Sequence, residues 1–233
     1  MWLKASNIQC RHGFSTRHGG VSPAPYHSLN FGGSGDLPDN IQLNRTKALQ
    51  HLGMDSYNLC YLNQVHGNEV LFAKAGEQTA DALVTKNPNH VLAIGIADCY
   101  PLLFHDPING VIGAAHAGWR GTVAKIAANT VEAMKSLGAE AGNIQVAIGQ
   151  GISQAKFEVG SEVISQFAEA GFDAACWNGR LLDLAKCNVE VLIAHGISEK
   201  NIWTMKRCTY EDDFFSYRRD GGKTGRMWAV IGL

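Results

Sequence analysis

The sequence predicts a single domain of mixed α/β (α+β) class that spans residues 1–233. Short runs rich in Val, Ile, Leu and Ala are typical of buried strands, and they alternate along the chain with segments whose apolar residues recur every three or four positions, as in helices. No internal repeat, low-complexity tract or long linker divides the chain. A length of 233 residues suits one large domain with a substantial core.

The first 50 residues are expected to form turns, short strands and the beginning of a helix. Glycines and a proline within residues 12–23, and a glycine cluster at residues 32–36, mark turns. Asp39 can cap a helix that Gly53 ends, because glycine readily adopts the conformation that terminates helices.

Strands and helices then alternate to the end of the chain. Strand candidates bounded by Gly, Asn, Asp or Pro lie at residues 69–73, 91–96, 110–115 and 144–148. The clearest helix spans residues 122–137, where apolar residues recur at helical spacing and Gly138 follows as a stop. Further helices are predicted at residues 161–170 and 183–195, and a final strand at residues 226–233.

Composition excludes several classes of protein. A net charge of −1 and a pI near 6.7 give no electrostatic basis for binding nucleic acid or an acidic membrane surface. No apolar run reaches the roughly 18 residues that a membrane helix needs, and the first seven residues lack the apolar core of a signal peptide. We therefore expect a cytoplasmic protein whose six cysteines are reduced.

Polar stretches at residues 62–67, 97–101 and 114–121 depart from the core pattern. The last two follow strand candidates that we expect to be neighbours, and ligands collect at the carboxyl ends of strands in open α/β sheets. The stretches contain His66, Cys99 and His116, and one thiolate with two imidazoles makes a good zinc site with a fourth position open to water. The residues alone leave an alternative open, in which these are a buried thiol and hydrogen-bonded core histidines.

Arg120 indicates an anion site beside these residues. Gly118 and Gly121 flank the start of the predicted helix, whose free N–H groups favour an anion, and arginine suits phosphate or carboxylate. The alternative is an arginine that faces water. NAD, ATP and serine-hydrolase chemistry are set aside: residues 149–154 lack the third glycine of a dinucleotide motif, and the Walker and Gly-x-Ser-x-Gly motifs are absent.

Many motifs of one known family occur here in order. The most specific are Gln64-Val65-His66-Gly67, Ala97-Asp98-Cys99-Tyr100-Pro101 and His116-Ala117-Gly118-Trp119-Arg120-Gly121. Others lie at residues 12–17, 19–22, 28–32, 44–45, 157–160, 208–209, 214–219 and 224–226. Through them the chain resembles the laccase-domain family, historically called multicopper polyphenol oxidases and, in bacteria, also peptidoglycan editing factors. One segment departs from the family pattern, because Gly149-Gln150-Gly151 stands where relatives usually carry Gly-Pro.

The resemblance implies a four-layer αββα sandwich with mixed sheets, and zinc held by His66, Cys99 and His116. It also implies phosphorolysis of adenosine, inosine and methylthioadenosine and deamination of adenosine, so that the partners are a small-molecule nucleoside and phosphate. An alternative within the family is an amidase that edits cell-wall precursors. A copper-dependent phenol oxidase is a further alternative, although the sequence shows no second His-rich cluster of the kind that several coppers need.

Further roles follow from the family match. Asp98 is expected to transfer a proton or, alternatively, to orient His66 or His116. Arg17 is expected to hold phosphate together with Arg120, whereas Asn30 and Gln64 are expected to contact substrate. A non-enzymatic domain with a structural zinc is the remaining alternative, but such zinc usually has four protein ligands. The sequence is compatible with a monomer or a homodimer.

Overall fold

Two six-stranded mixed sheets lie at the centre of the computed structural model, which describes residues 1–33 and 35–233. Ser34, in the turn predicted at residues 32–36, lies outside the described residues. In chain order the strands are β1 (Trp2–Leu3), β2 (Arg11–Ser15), β3 (Asn58–Asn63), β4 (Val70–Phe72), β5 (Gly76–Thr79), β6 (Ala82–Thr85), β7 (His90–Ile96), β8 (Tyr100–Asp106), β9 (Val111–Ala117), β10 (Gln145–Ile148), β11 (Trp177–Asn178), β12 (Leu181–Leu182), β13 (Ile202–Thr204) and β14 (Met227–Gly232). The α-helices of the described part are α1 (Pro38–Leu52), α2 (Trp119–Val123), α3 (Ile126–Ser136), α4 (Ser161–Glu169) and α5 (Leu184–Ala194).

The layers follow from which face of each sheet is apolar. The first sheet has the order β1-β2-β14-β7-β3-β5 and the second has the order β13-β10-β8-β9-β6-β4. Their inner faces pack together through fully buried side chains such as Phe14, Ile94 and Leu103. The outer face of the first sheet packs on α1, and that of the second packs on α3, α4 and α5. The predicted fold class and the four-layer αββα arrangement are confirmed.

The predicted helix at residues 122–137 is wrong in one respect, because the chain forms two helices there. Helix α2 ends at Val123, Lys125 adopts a left-handed conformation with φ of 61°, and α3 then begins at Ile126. The apolar periodicity runs across this break because both helices pack on the same face of the second sheet. Helix α2 is consequently a separate five-residue helix that starts directly after Gly118.

The expectation that residues 91–96 and 110–115 form neighbouring strands is also wrong. Strand β7 belongs to the first sheet and β9 to the second, and residues 97–99 carry the chain from one sheet to the other. Cys99 and His116 still come together, because β8 pairs antiparallel with β9 and sets Tyr100 opposite Ala117 and Pro101 opposite His116. The polar stretches therefore meet at the edge where the two sheets face each other.

The segment that departs from the family pattern turns its glutamine inward. Gln150 is fully buried and its Nε2 donates a hydrogen bond to the carbonyl oxygen of Ser15 at 2.9 Å. Gly149 has no room for a side chain, because a Cβ there would lie 2.4 Å from the Phe14 ring.

Within residues 1–33 and 35–233, no helix has both the length and the apolar character needed to cross a bilayer.

Candidate metal centre and its cleft

Three side chains with metal-binding atoms converge at this edge of the sheets. His66 lies in the loop between β3 and β4 at a φ of 60°, Cys99 precedes β8, and His116 is near the end of β9. The ligand atoms of these three residues all lie within 4.8 Å of one another. The two imidazole rings meet edge to face, with centroids 4.8 Å apart.

Asp81 holds two of these residues in place. Its carboxylate is fully buried, and Oδ1 lies 2.8 Å from Nδ1 of His116 and accepts a hydrogen bond from the N–H of His66 at 3.0 Å. Oδ2 accepts from the N–H of Gly67 at 2.6 Å and of Val65 at 3.3 Å. Burial alone would raise the pKa of Asp81, but the hydrogen bonds from His116 and Gly67 and the charge of His116 lower it. Because the carboxylate is ionised, it binds the protonated Nδ1 of His116 and leaves Nε2 as the nitrogen that can ligate a metal.

The sequence analysis missed Asp81. It considered only Asp98 as a residue that could orient a ligating histidine, as the alternative to proton transfer, whereas in the structure the carboxylate in contact with Nδ1 of His116 is that of Asp81. The available signal was weak, since it consisted of one acidic residue directly before the apolar strand β6. A single carboxylate of this kind gains meaning only when its partner, 35 residues later in the chain, is known.

The electrostatics of the cluster favour a thiolate. Burial would raise the pKa of Cys99, but the charge of His116 and hydrogen bonds with His116 and His66 outweigh it and lower the pKa to about 6. Burial would likewise lower the pKa of His116, whereas Cys99 and Asp81 raise it to about 9. A thiolate is the form of cysteine that binds metals. The site therefore holds its sulfur ligand in the reactive form at neutral pH.

These residues fit a zinc ion. One thiolate and two imidazoles are good zinc donors, and three protein ligands leave one coordination position for water or substrate. The backbone also leaves space beside the cluster, because a Cβ at Gly118 would lie 3.1 Å from Sγ of Cys99 and 3.3 Å from Cδ2 of His66. A larger residue at position 118 would crowd two ligands at once.

A cleft of about 650 Å³ opens from this cluster over the outer face of the first sheet. Its walls are rich in aromatic residues, namely Phe31, Tyr61, Trp119, Phe157, Tyr217 and Trp228. Four arginines also line it: Arg45, Arg120, Arg218 and Arg226. Within the described part of the chain, none of the four has a carboxylate within ion-pair distance. The cleft is therefore suited to an anion together with a planar, aromatic ligand.

Asp98 lies at the junction between the metal cluster and the carboxyl-terminal loops. Its φ of 91° is unusual for a residue other than glycine, and such strain is often found at functional sites. Oδ1 accepts a hydrogen bond from the Thr209 hydroxyl at 2.6 Å, and Oδ2 accepts from the N–H of Arg218 at 2.7 Å. The carboxylate of Asp98 thus holds the loop that contains Arg218 against the cleft, and both Asp98 and Arg218 line that cleft.

The other predicted substrate residues divide into two groups. Gln64 and Arg120 line the cleft. The amide of Gln64 is already engaged by Gly95, because its Nε2 donates to the carbonyl oxygen at 2.8 Å and its Oε1 accepts from the N–H at 2.7 Å. Arg120 is exposed and stacks over the Trp119 ring, 4.4 Å from its centroid.

Arg17 and Asn30 do not line the cleft. Nε of Arg17 donates to the carbonyl oxygen of His27 at 2.8 Å, and its guanidinium lies over the Phe215 ring. Asn30 is fully buried, and its Oδ1 accepts from the N–H of Arg226 at 2.7 Å. The structure therefore brings His66, Cys99, His116, Asp98, Gln64 and Arg120 together in one cleft, whereas Arg17 and Asn30 are not among the residues that line it.

Comparisons with known proteins agree with this fold. Residues 11–233 match the profile of a family described as multi-copper polyphenol oxidoreductase laccase. The chain is 49% identical to the purine nucleoside phosphorylase of Deinococcus radiodurans, over 99% of this chain and 92% of the relative. It is 37% identical to the purine nucleoside phosphorylase YfiH of Escherichia coli, over 94% and 92% of the two chains. Among solved structures it is similar to YlmD from Geobacillus stearothermophilus, with a TM-score of 0.94, 32% identity and coverage of 99% and 95%.

Proposed function

The chain belongs to the multi-copper polyphenol oxidoreductase laccase family, and from that premise we propose that it is a zinc-dependent purine nucleoside phosphorylase. One observation carries the proposal: a three-residue metal cluster lines the same cleft as four arginines that have no carboxylate partner among the described residues. Relatives over nearly the full length are named purine nucleoside phosphorylases, which supports the same reaction class here.

Zinc is favoured over several coppers by the residues themselves. His66, Cys99 and His116 are the only group of three or more metal-ligating side chains close enough to hold an ion in the described part of the chain. A multicopper oxidase needs ligands for each of its coppers. The cluster supplies three ligands for a single ion, which matches a zinc site with one open position.

In the proposed reaction, an oxygen of phosphate attacks C1′ of the ribose and the bond from C1′ to N9 of the purine breaks. The products are the free base and ribose 1-phosphate. The arginines of the cleft offset the charge of the phosphate and hold it for attack. Adenosine, inosine and methylthioadenosine share the purine and its bond to C1′ of the sugar, so we propose all three as substrates. Methylthioadenosine would give 5-methylthioribose 1-phosphate in place of ribose 1-phosphate.

Bound zinc would supply Lewis-acid polarisation of a substrate oxygen and a lowered pKa of a coordinated water. The protein's own groups do the rest. We assign to Asp98, a carboxylate of the cleft wall adjacent to Cys99, the transfer of the proton released by the attacking phosphate to N7 of the leaving purine. Asp81 fixes the rotation and tautomer of His116. For deamination of adenosine, Asp98 would accept the proton of the attacking water and return it to the departing amine.

The test is product analysis of the zinc-loaded protein with adenosine and phosphate. We expect adenine and ribose 1-phosphate, with loss of turnover in Cys99→Ala. Cys10→Ala is the matched control, because Cys10 is a partly exposed thiol outside the cleft and its loss should leave turnover unchanged. Zinc-loaded protein that turns over no purine nucleoside would contradict the proposal. Chelation separates a catalytic from a structural metal, because a structural site should lose its fold along with its zinc.

A further inference from the structure

Arg226 is a partly buried cation that has no carboxylate partner in the described part of the chain. Three of the described arginines form ion pairs, and all three lie outside the cleft. Arg180 is paired with Glu158, Arg207 is paired with both Glu211 and Asp213, and Arg219 is paired with Asp220. Arg226 lines the cleft and has no carboxylate within 4.0 Å among the described residues. A guanidinium keeps its charge at physiological pH, so this charge calls for an anionic ligand.

The guanidinium presents one complete edge for such a ligand. Its Nη1 donates to the carbonyl oxygens of Thr224 at 3.1 Å and Gly225 at 3.0 Å. Its Nε and Nη2 have no hydrogen-bond partner within residues 1–33 and 35–233. These two nitrogens form the planar fork that binds two oxygens of a phosphate or carboxylate at once.

Asn30 holds the backbone of Arg226 in position. The buried Oδ1 of Asn30 accepts from the N–H of Arg226 at 2.7 Å and from that of Gly32 at 3.2 Å. Nδ2 of Asn30 donates to Asp36 at 2.8 Å, so both polar atoms of the amide are engaged. Gly33, which has φ of 96°, lies beside the arginine, and a Cβ there would already contact its Cγ at 3.7 Å.

Arg226 shares its cleft with the metal cluster. Arg226, Cys99 and Asp98 all line this cleft, and the charge of Arg226 interacts with both of the other residues. An anion held by Arg226 is therefore in the same cleft as the candidate metal ligands. The other three arginines of the cleft are held less firmly for this purpose. Arg120 and Arg218 are exposed, and Arg45 uses Nε and Nη2 on the carbonyl oxygen of Phe31.

We propose that Nε and Nη2 of Arg226 bind two oxygens of a phosphoryl group, and that Asn30 positions Arg226 without touching the ligand. The inference rests on the proposed function in one respect, because phosphorolysis makes inorganic phosphate the expected source of that group. A phosphoryl group carried by the substrate, as in a nucleoside 5′-monophosphate, has the same chemistry.

The test compares wild type with Arg226→Met and Arg226→Lys. For the zinc-loaded protein, we expect Arg226→Met to raise KM for phosphate at least tenfold while KM for adenosine changes less than twofold. Arg226→Lys should fall between the two, because it keeps the charge but loses the fork. Arg180→Met is the control, since it removes an exposed arginine outside the cleft and should change neither constant. Asn30→Ala should raise KM for phosphate with little change in kcat, a split that general loss of structure would not produce.

Direct titration with inorganic phosphate keeps this test separate from the proposed function. If wild type lacks phosphorolysis but binds phosphate, and Arg226→Met does not, the proposed function fails and the subsite stands. If only inhibition by a nucleoside 5′-monophosphate is weakened by Arg226→Met, the subsite stands and the phosphoryl group belongs to the substrate. If neither ligand distinguishes wild type from Arg226→Met, or if Arg17→Met alone raises KM for phosphate, the inference is overturned.

Discussion

Replacing Asp81 with asparagine tests how much of the metal centre depends on one buried carboxylate. Four hydrogen-bond donors converge on its two oxygens: His116 Nδ1 and the N–H of His66 on Oδ1, and the N–H groups of Gly67 and Val65 on Oδ2. An amide can replace only one of these oxygens as acceptor. Two donors then face an NH₂ group, whichever way the amide is turned.

The structure sets the magnitude of two separate effects. Each orphaned buried donor costs about 1–3 kcal/mol, so the free energy of unfolding should fall by about 2–6 kcal/mol. Affinity for zinc should fall about 10–100-fold, as is typical when a partner that orients a ligating histidine is lost. Thermal or urea unfolding of the metal-free protein measures the first effect, and competition with a chelating indicator measures the second.

Asp106→Asn is the matched control for Asp81→Asn. Asp106 is also fully buried, and it accepts hydrogen bonds from the N–H groups of Ile108, Asn109 and Glu140 and from the side chain of Asn109. It lies outside the cleft, so its loss should cost comparable stability and leave zinc affinity unchanged. Equal zinc affinity in Asp81→Asn and wild type, or equal weakening by Asp106→Asn, would refute the reasoning.

Two further predictions concern the same centre. Because the pKa of Cys99 is lowered to about 6 and that of His116 is raised to about 9, the metal-free protein at pH 7.5 holds a thiolate and an imidazolium, and zinc should displace roughly one proton, from His116. Titration calorimetry in buffers of different ionisation enthalpy counts that proton. Zinc affinity should also fall roughly tenfold per pH unit as the pH is lowered from 9 to 6, and more steeply below pH 6. A zinc affinity that does not depend on pH would contradict the assigned protonation states. Gly118→Ala should weaken zinc binding by about tenfold by crowding Cys99 and His66, whereas Gly142→Ala, whose Cβ would meet nothing within 4 Å, should have no effect; equal zinc affinities in the two variants would show that the space at Gly118 is not needed.

Local patterns predicted the strands and helices that carry strong apolar signals. Strands β4, β7, β9, β10 and β14 lie where Val, Ile, Leu and Ala cluster. Strand β5, in contrast, has the sequence Gly-Glu-Gln-Thr and forms at the edge of a sheet, where partner strands rather than its own side chains determine its conformation. The break at Lys125 was invisible for a related reason, because periodicity reports the buried face and not the continuity of the backbone.

The residues of the candidate site likewise divide into those that the sequence identified and those that only the fold revealed. The sequence analysis selected His66, Cys99 and His116, and the structure brings their ligand atoms within 4.8 Å. It did not identify Asp81 or the free edge of Arg226, because their roles depend on contacts across the fold. Asn30 and Arg226, for example, are separated by 196 positions in the chain. Residue type and spacing indicate which chemistry is available, whereas the topology decides which side chains support it.

The paired hydrogen bonds between Gln64 and Gly95 have a consequence for how the backbone reaches the metal centre. Strand β3 runs parallel to β7, with Tyr61 opposite Ala93, and it ends at Asn63. The amide of Gln64 then satisfies both the N–H and the carbonyl of Gly95, as a peptide group of the next residue pair would have done. The side-chain amide of Gln64 thus takes the place of a backbone peptide group in the sheet, while the main chain leaves the strand. The backbone can therefore turn into the left-handed conformation at His66 while the N–H and the carbonyl oxygen of Gly95 keep hydrogen-bond partners.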